Sequence, residues 1–155
     1  MGRLAGMGGE SIGTTPAGGG GGRIPVEVVR ALPADAGAAG IARRCLAEYC
    51  VGLPGELIDD AVLLVSELVT NAVQHARPEI TLRMWRRAGG LGASVQDCGD
   101  RLRLPAGVPD LRAARGRGLR IVAALSSAWG EQPTAQPPGK IIWFEIDQPP
   151  ARLGN

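Results

Sequence analysis

Aromatic side chains are scarce in this 155-residue chain: Trp85, Trp129, Trp143, Tyr49 and Phe144 are the full set. Five rings are too few for a surface that stacks successive single-stranded bases. An excess of one charge is missing too. Seventeen basic residues against 15 acidic ones leave a net charge of +2, which gives no electrostatic footprint for a duplex nucleic acid. No apolar run approaches the roughly 18 residues of a bilayer span. The N-terminus has no continuous apolar stretch of the kind a secretory signal requires. There is one histidine, His75, which excludes most His-based metal clusters and leaves little room for a Ser-His-Asp triad. The three cysteines, Cys45, Cys50 and Cys98, are odd in number and lack pairwise metal spacing. They read as reduced structural thiols in a cytoplasmic protein. Lysine is almost absent, with sixteen arginines to one lysine, a pattern that fits a GC-rich coding sequence rather than a chemistry.

What the chain has is a 45% apolar content, enough for the core of one domain. Residues 1–22 hold ten glycines and end in the run Gly18 to Gly22. Such a segment loses too much entropy on ordering and buries too little, and it reads as a disordered tail. The domain is expected over 23–147, with a frayed Pro-rich tail over 148–155.

Alternation predicts a strand from Arg23 to Leu32, with Pro25 suiting an edge. Asp35 is a candidate cap for a helix carrying Ala38, Ile41, Ala42, Cys45 and Tyr49 at helical spacing. After Gly52-Leu53-Pro54 a longer helix is expected from about Gly55 to Ala76. Its apolar stripe is Ala61, Val62, Val65, Leu68, Val69, Ala72, Val73 and Ala76. Strands Ile80 to Arg87 and Leu91 to Asp97 flank Gly89-Gly90 as a hairpin. The stretch from Cys98 to Arg115 has no period and is long for a structureless connection. A helix over about 117–128 and two strands, about 128–133 and 140–147, complete the order. Strands in adjacent pairs predict a mixed, mostly antiparallel sheet with helices on one face, an α+β two-layer sandwich. A doubly wound dinucleotide fold is disfavoured because strands and helices do not alternate.

Glu67, Asn71 and His75 stand four apart and fall within a stripe of about 80° beside the apolar face of the long helix. One reading is an ordinary solvated flank. The other is a nucleotide-facing one, because the stripe mixes an acid, an amide and an imidazole, and Asn is a poor interior helix residue. The Asn71 carbonyl is a hard oxygen ligand suited to magnesium, whose shell is completed by water and phosphate oxygens. Glu67 suits the orientation or deprotonation of a nucleophile at a terminal phosphate. Asp97 follows Leu91, Ala93 and Val95 on one alternating face, so its carboxylate is expected to turn inward and to need a donor. An adenine amine would serve, with Gly99 allowing close approach to the backbone; the alternative is a turn aspartate. Gly116-Arg117-Gly118-Leu119 opens a helix whose amides would face phosphates. Arg115, Arg117 and their neighbours Arg101, Arg103, Arg112 and Arg120 form either a solvated run or a triphosphate-facing cluster. Gly139-Lys140 is no P-loop, since no Gly lies five residues before Gly139 and no Ser or Thr follows Lys140.

Together these segments resemble the histidine-kinase-like ATPase superfamily with the Bergerat ATP-binding fold, in its branch of anti-sigma regulatory factor serine/threonine kinases. The resemblance is carried by Ser66-Glu67-Leu68-Val69-Thr70-Asn71-Ala72-Val73-Gln74-His75-Ala76, by Val95-Gln96-Asp97-Cys98-Gly99, and by Gly116-Arg117-Gly118-Leu119-Arg120-Ile121-Val122. The ending from Trp129-Gly130 through Gly139-Lys140 to Trp143-Phe144-Glu145 also fits, and the whole covers about residues 24–147. The resemblance implies ATP and Mg2+ as cofactors, Asn71 as magnesium ligand and Glu67 as catalytic base. It implies Asp97 at the adenine amine, and His75, Gly99, Arg115, Gly116, Arg117, Gly118 and Leu119 around the nucleotide and its lid. It further implies phosphorylation of a serine on an anti-sigma-factor antagonist, binding of a sigma factor, and no direct contact with nucleic acid or membrane; a homodimer is compatible with it. Arg101 stands where the family's adenine box has another glycine. The competing function is a nucleotide-binding module that sequesters a partner without phosphotransfer.

Overall fold

The computed structural model describes residues 27–75, 79–99, 117–135 and 138–148. The expected N-terminal tail, Arg23 to Val26 of the first strand, Ala76 at the end of the long helix, most of the stretch from Cys98 to Arg115, and the expected C-terminal tail beyond Gln148 lie outside them.

The elements run β1 (Glu27–Leu32), α1 (Ala38–Tyr49), α2 (Gly55–His75), β2 (Ile80–Arg87), β3 (Gly90–Asp97), α3 (Arg117–Leu125), β4 (Ala128–Ala135) and β5 (Pro138–Asp147). The five strands form one sheet in the order β1-β2-β3-β5-β4. Every pairing is antiparallel, which removes the mixed alternative. The β2–β3 hairpin turns on Gly89, whose φ of +76° is one that L side chains rarely adopt.

Period-two alternation divides the sheet into two faces. Ile80, Leu82 and Met84 of β2, Leu91, Ala93 and Val95 of β3, and Ile142, Phe144 and Ile146 of β5 join one core with the three helices. α2 supplies Leu57, Ala61, Leu64, Val65, Leu68, Val69 and Ala72 to it, α1 supplies Ala38, Ala42, Leu46 and Tyr49, and α3 supplies Leu119 and Val122. Leu57 and Leu64 lie outside the stripe expected from periodicity. α2 packs on α1 and α3 as well as on the sheet, so its buried face is wider than a single stripe. The opposite sheet face carries surface ion pairs, Arg83–Glu27 at 2.6 Å and Arg87 to Asp147 at 2.8 Å and Glu145 at 3.2 Å. Such pairs contribute little to stability.

Three local expectations are corrected. Asp35 is not the cap of α1: Gly37 holds that position, without a side-chain cap bond. The Asp35 carboxylate instead accepts from the Gly37 N–H at 2.7 Å, a local turn that competes with capping. α3 stops at Leu125 instead of 128, because the Ser126 hydroxyl donates back to the Val122 carbonyl and the Ser127 N–H donates across to the Glu145 carbonyl. β4 and β5 each reach further toward the other, to Ala135 and back to Pro138.

Candidate functional site

One end of the sheet collects the chemistry. α2 closes at His75, and only a few residues separate it from Ile80, the first of β2. The register Thr81↔Gln96 puts that start of β2 beside Asp97, the last residue of β3. Asp97 in turn faces Lys140 near the start of β5. α3 brings its N-terminus to the same region, with Gly118 against the Glu67 side chain of α2. The C-terminal half of α2, the end of β3, the start of β5 and the start of α3 therefore meet.

Glu67 and Asn71 are half-buried, so the flank of α2 is not an ordinary solvated one. The Nδ2 of Asn71 is buried with no hydrogen-bond partner. A buried carboxamide donor left unmatched costs free energy, and the protein's own bonds do not account for this placement. Gly118 is where a side chain would interfere: a β-carbon there would stand 2.6 Å from Glu67 Oε2.

Asp97 is buried, on the helix-facing side with Leu91, Ala93 and Val95. The protein itself supplies donors to it, and one of them is the turn bond of the alternative reading. Lys140 Nζ donates to Asp97 Oδ1 at 2.9 Å, and the Gly99 N–H donates to the same oxygen at 2.7 Å. The second bond is an Asx-type turn and occupies the Gly99 amide. β5 reaches this corner because Gly139 has no β-carbon, which would otherwise collide with the Asp97 carbonyl and the Cys98 backbone. From the sequence, Lys140 is weighed only as a P-loop lysine and as part of the family resemblance, not as a site residue, because lysines are normally exposed. Its signal was the alternation with Ile142, Phe144 and Ile146, which puts position 140 on the inner face.

Of the other expected site residues, Leu119 is buried in the core and Gly118 is half-buried. His75 is the last residue of α2 and Arg117 the first of α3. Arg115 and Gly116 lie outside the described residues, as does the expected lid. Among the described residues no group of three His, Cys, Asp or Glu side chains could hold a metal ion. Magnesium in a nucleotide site does not require one, since phosphate oxygens and water complete its shell. The unmatched Nδ2 of Asn71 is a donor and suits a phosphate oxygen of such a complex, while its amide oxygen is the atom of the type magnesium takes. Among the described residues, no helix is long and apolar enough to cross a membrane.

A family model described as a histidine kinase-like ATPase domain matches residues 32–146. Among solved structures, the crystal structure of the RsbU and RsbW domains of Rv1364c from Mycobacterium tuberculosis is similar, at 26% identity and a TM-score of 0.62. That likeness covers 83% of this chain and 34% of the other, so the present chain spans about a third of that relative's length. The NMR structure of the histidine kinase domain of the E. coli osmosensor EnvZ matches at 16% identity and a TM-score of 0.42, over 88% of this chain and 97% of that one. No curated protein matches.

Proposed function

The chain belongs to the histidine kinase-like ATPase domain family, and on that premise we propose that it binds magnesium-ATP and transfers the terminal phosphate to a serine or threonine hydroxyl of a protein partner. The observation that carries this is the half-buried flank of α2, where the Glu67 carboxylate stands one helical turn from Asn71, whose buried and unmatched Nδ2 suits a phosphate oxygen. Asn71 would hold the metal, and bound magnesium would neutralise charge on the phosphates. Glu67 would accept the proton of the attacking hydroxyl. The hydroxyl oxygen then bonds to the terminal phosphorus as the bond to the bridging oxygen breaks, and ADP leaves. A positioned base of this kind contributes about 10²–10⁴-fold in rate.

The similarity to a chain with an RsbW domain and the run Ser66-Glu67-Leu68-Val69-Thr70-Asn71 support the anti-sigma branch. The partners in this reading are an anti-sigma-factor antagonist, as phosphoacceptor, and a sigma factor.

The test is incubation with γ-labelled ATP, magnesium and a small antagonist-type protein, alongside calorimetry of ATP binding. Transfer by wild type, loss of transfer with retained ATP binding in Glu67→Ala, and loss of magnesium-dependent binding in Asn71→Ala are expected. Wild type that binds ATP and holds its partner without transferring phosphate is a sequestering module instead.

A further inference from the structure

The chain has a single lysine, Lys140, and it is fully buried, at 0% exposure, against Asp97 at 1%. We propose that Lys140 reads the nucleobase as well: its ammonium donates to N1 of adenine, beside the Asp97 carboxylate that the family resemblance puts at the exocyclic amine. This rests on the ATP-binding reading above.

The hydrogen-bond count of the pair leads there. An ammonium has three N–H donors. Among the described residues, Asp97 is the sole hydrogen-bond partner of Lys140 Nζ, through one bond of 2.9 Å. A carboxylate accepts on both oxygens, yet Lys140 and Gly99 both donate to Oδ1. Among the described residues the ammonium therefore has two donors left, and both bonds to the carboxylate fall on Oδ1. Burying two charges is repaid only when the remaining protons and lone pairs are also matched. A purely structural pair in this position would be an expensive one, and a hydrophobic pair of similar volume would serve the core better.

The location agrees. Asp97 and Lys140 are opposite each other in the β3–β5 register, on the face toward the helices. They lie at the end of the sheet where α2 carries Asn71 and where Gly118 meets Glu67. The Watson–Crick edge of adenine presents an amine donor beside a ring-nitrogen acceptor. A carboxylate oxygen beside an ammonium is its complement. Methyl or hydroxyl side chains at position 140 would offer no charged donor there.

The experiment is calorimetry of the full chain with magnesium and ATP, 1-deaza-ATP (N1 replaced by C–H), 7-deaza-ATP or GTP, in wild type and Lys140→Met. Wild type is expected to bind ATP about tenfold or more tightly than 1-deaza-ATP, the scale of one hydrogen bond from a charged donor. ATP and 7-deaza-ATP should be equal. Lys140→Met should bind ATP and 1-deaza-ATP alike, because the partner of N1 is gone; a merely structural lysine would leave that difference in place. Equal binding of ATP and 1-deaza-ATP by wild type overturns the proposal, and it does so even where Lys140→Met fails to fold. A preference for ATP over 1-deaza-ATP that survives in Lys140→Met also overturns it. Tighter binding of GTP than ATP overturns the adenine orientation, since guanine would take the ammonium at O6. Folded wild type that binds none of the four overturns the ATP-binding reading itself, a result distinct from all the others.

Discussion

The carboxylate of Glu67 and the α-carbon of Gly118 are packed so closely that a β-carbon on Gly118 would stand 2.6 Å from Glu67 Oε2. This glycine in the first turn of α3 thus gives room to the acid on α2. Gly118→Ala should push Glu67 aside while leaving the rest of the α2 flank in place. Phosphotransfer is expected to fall by about 100-fold, the scale of an ångström of misplacement, with ATP affinity changed far less. Parallel transfer assays and calorimetry check this; an equal fall in both would place Gly118 in binding alone.

Arg86 of β2 ties α1 to the sheet. Its Nη2 donates to the carbonyls of Tyr49 at 2.8 Å and Val51 at 3.0 Å, just where α1 ends, and its guanidinium lies 5.6 Å from the Tyr49 ring centroid. A cation at a helix C-terminus satisfies the last carbonyls and the dipole together. Arg86→Met should cost about 1–2 kcal/mol, read as a lower urea midpoint with unchanged slope.

The same corner predicts a pH dependence. Burial raises the Cys50 thiol to about 11 from 9.0, against a smaller opposing effect of the Arg86 charge. Tyr49 is also raised, by burial first, with Arg86 acting against it. For an acid held protonated in the folded state, the unfolded chain releases its proton first as pH rises. The Cys50 contribution is therefore complete below pH 9 and is lost as pH climbs toward 11. The urea midpoint should fall between pH 8.5 and 10.5, and fall less in Cys50→Ala. An identical decline in the variant would exclude Cys50 as its source.

Because Lys140 is the only lysine and fully buried, amine chemistry reports on it cleanly. An N-hydroxysuccinimide ester at pH 8 should label the α-amino group of the folded chain within minutes and leave Lys140 unmodified. Lys140 should react once urea unfolds the chain. Intact-mass and peptide spectrometry read the two sites separately. Rapid labelling of Lys140 in the folded protein would contradict its burial.

Much of this fold was legible in the residues themselves. The alternation Ile80-Leu82-Met84 and Leu91-Ala93-Val95 around Gly89 fixes a hairpin and its inner face, and the 3.6-residue spacing through Leu68, Val69 and Ala72 fixes α2. These are local signals, set by backbone period and by one glycine's freedom at positive φ. The spacing of Glu67 and Asn71 on one flank is local in the same sense.

What residues distant in sequence do to one another was decided only by the tertiary structure. Arg86 ends a helix that lies far before it in the chain. Gly118 makes room for Glu67. Lys140 meets Asp97 because β5 pairs with β3 in one register and because Gly139 allows the close approach. Alternation puts Lys140 and Asp97 on the inner face, but no period says which residues meet there, since that depends on helix packing and on the sheet order β1-β2-β3-β5-β4. Pattern determined which face of each element is apolar, while assembly determined which polar groups those buried faces bring into contact.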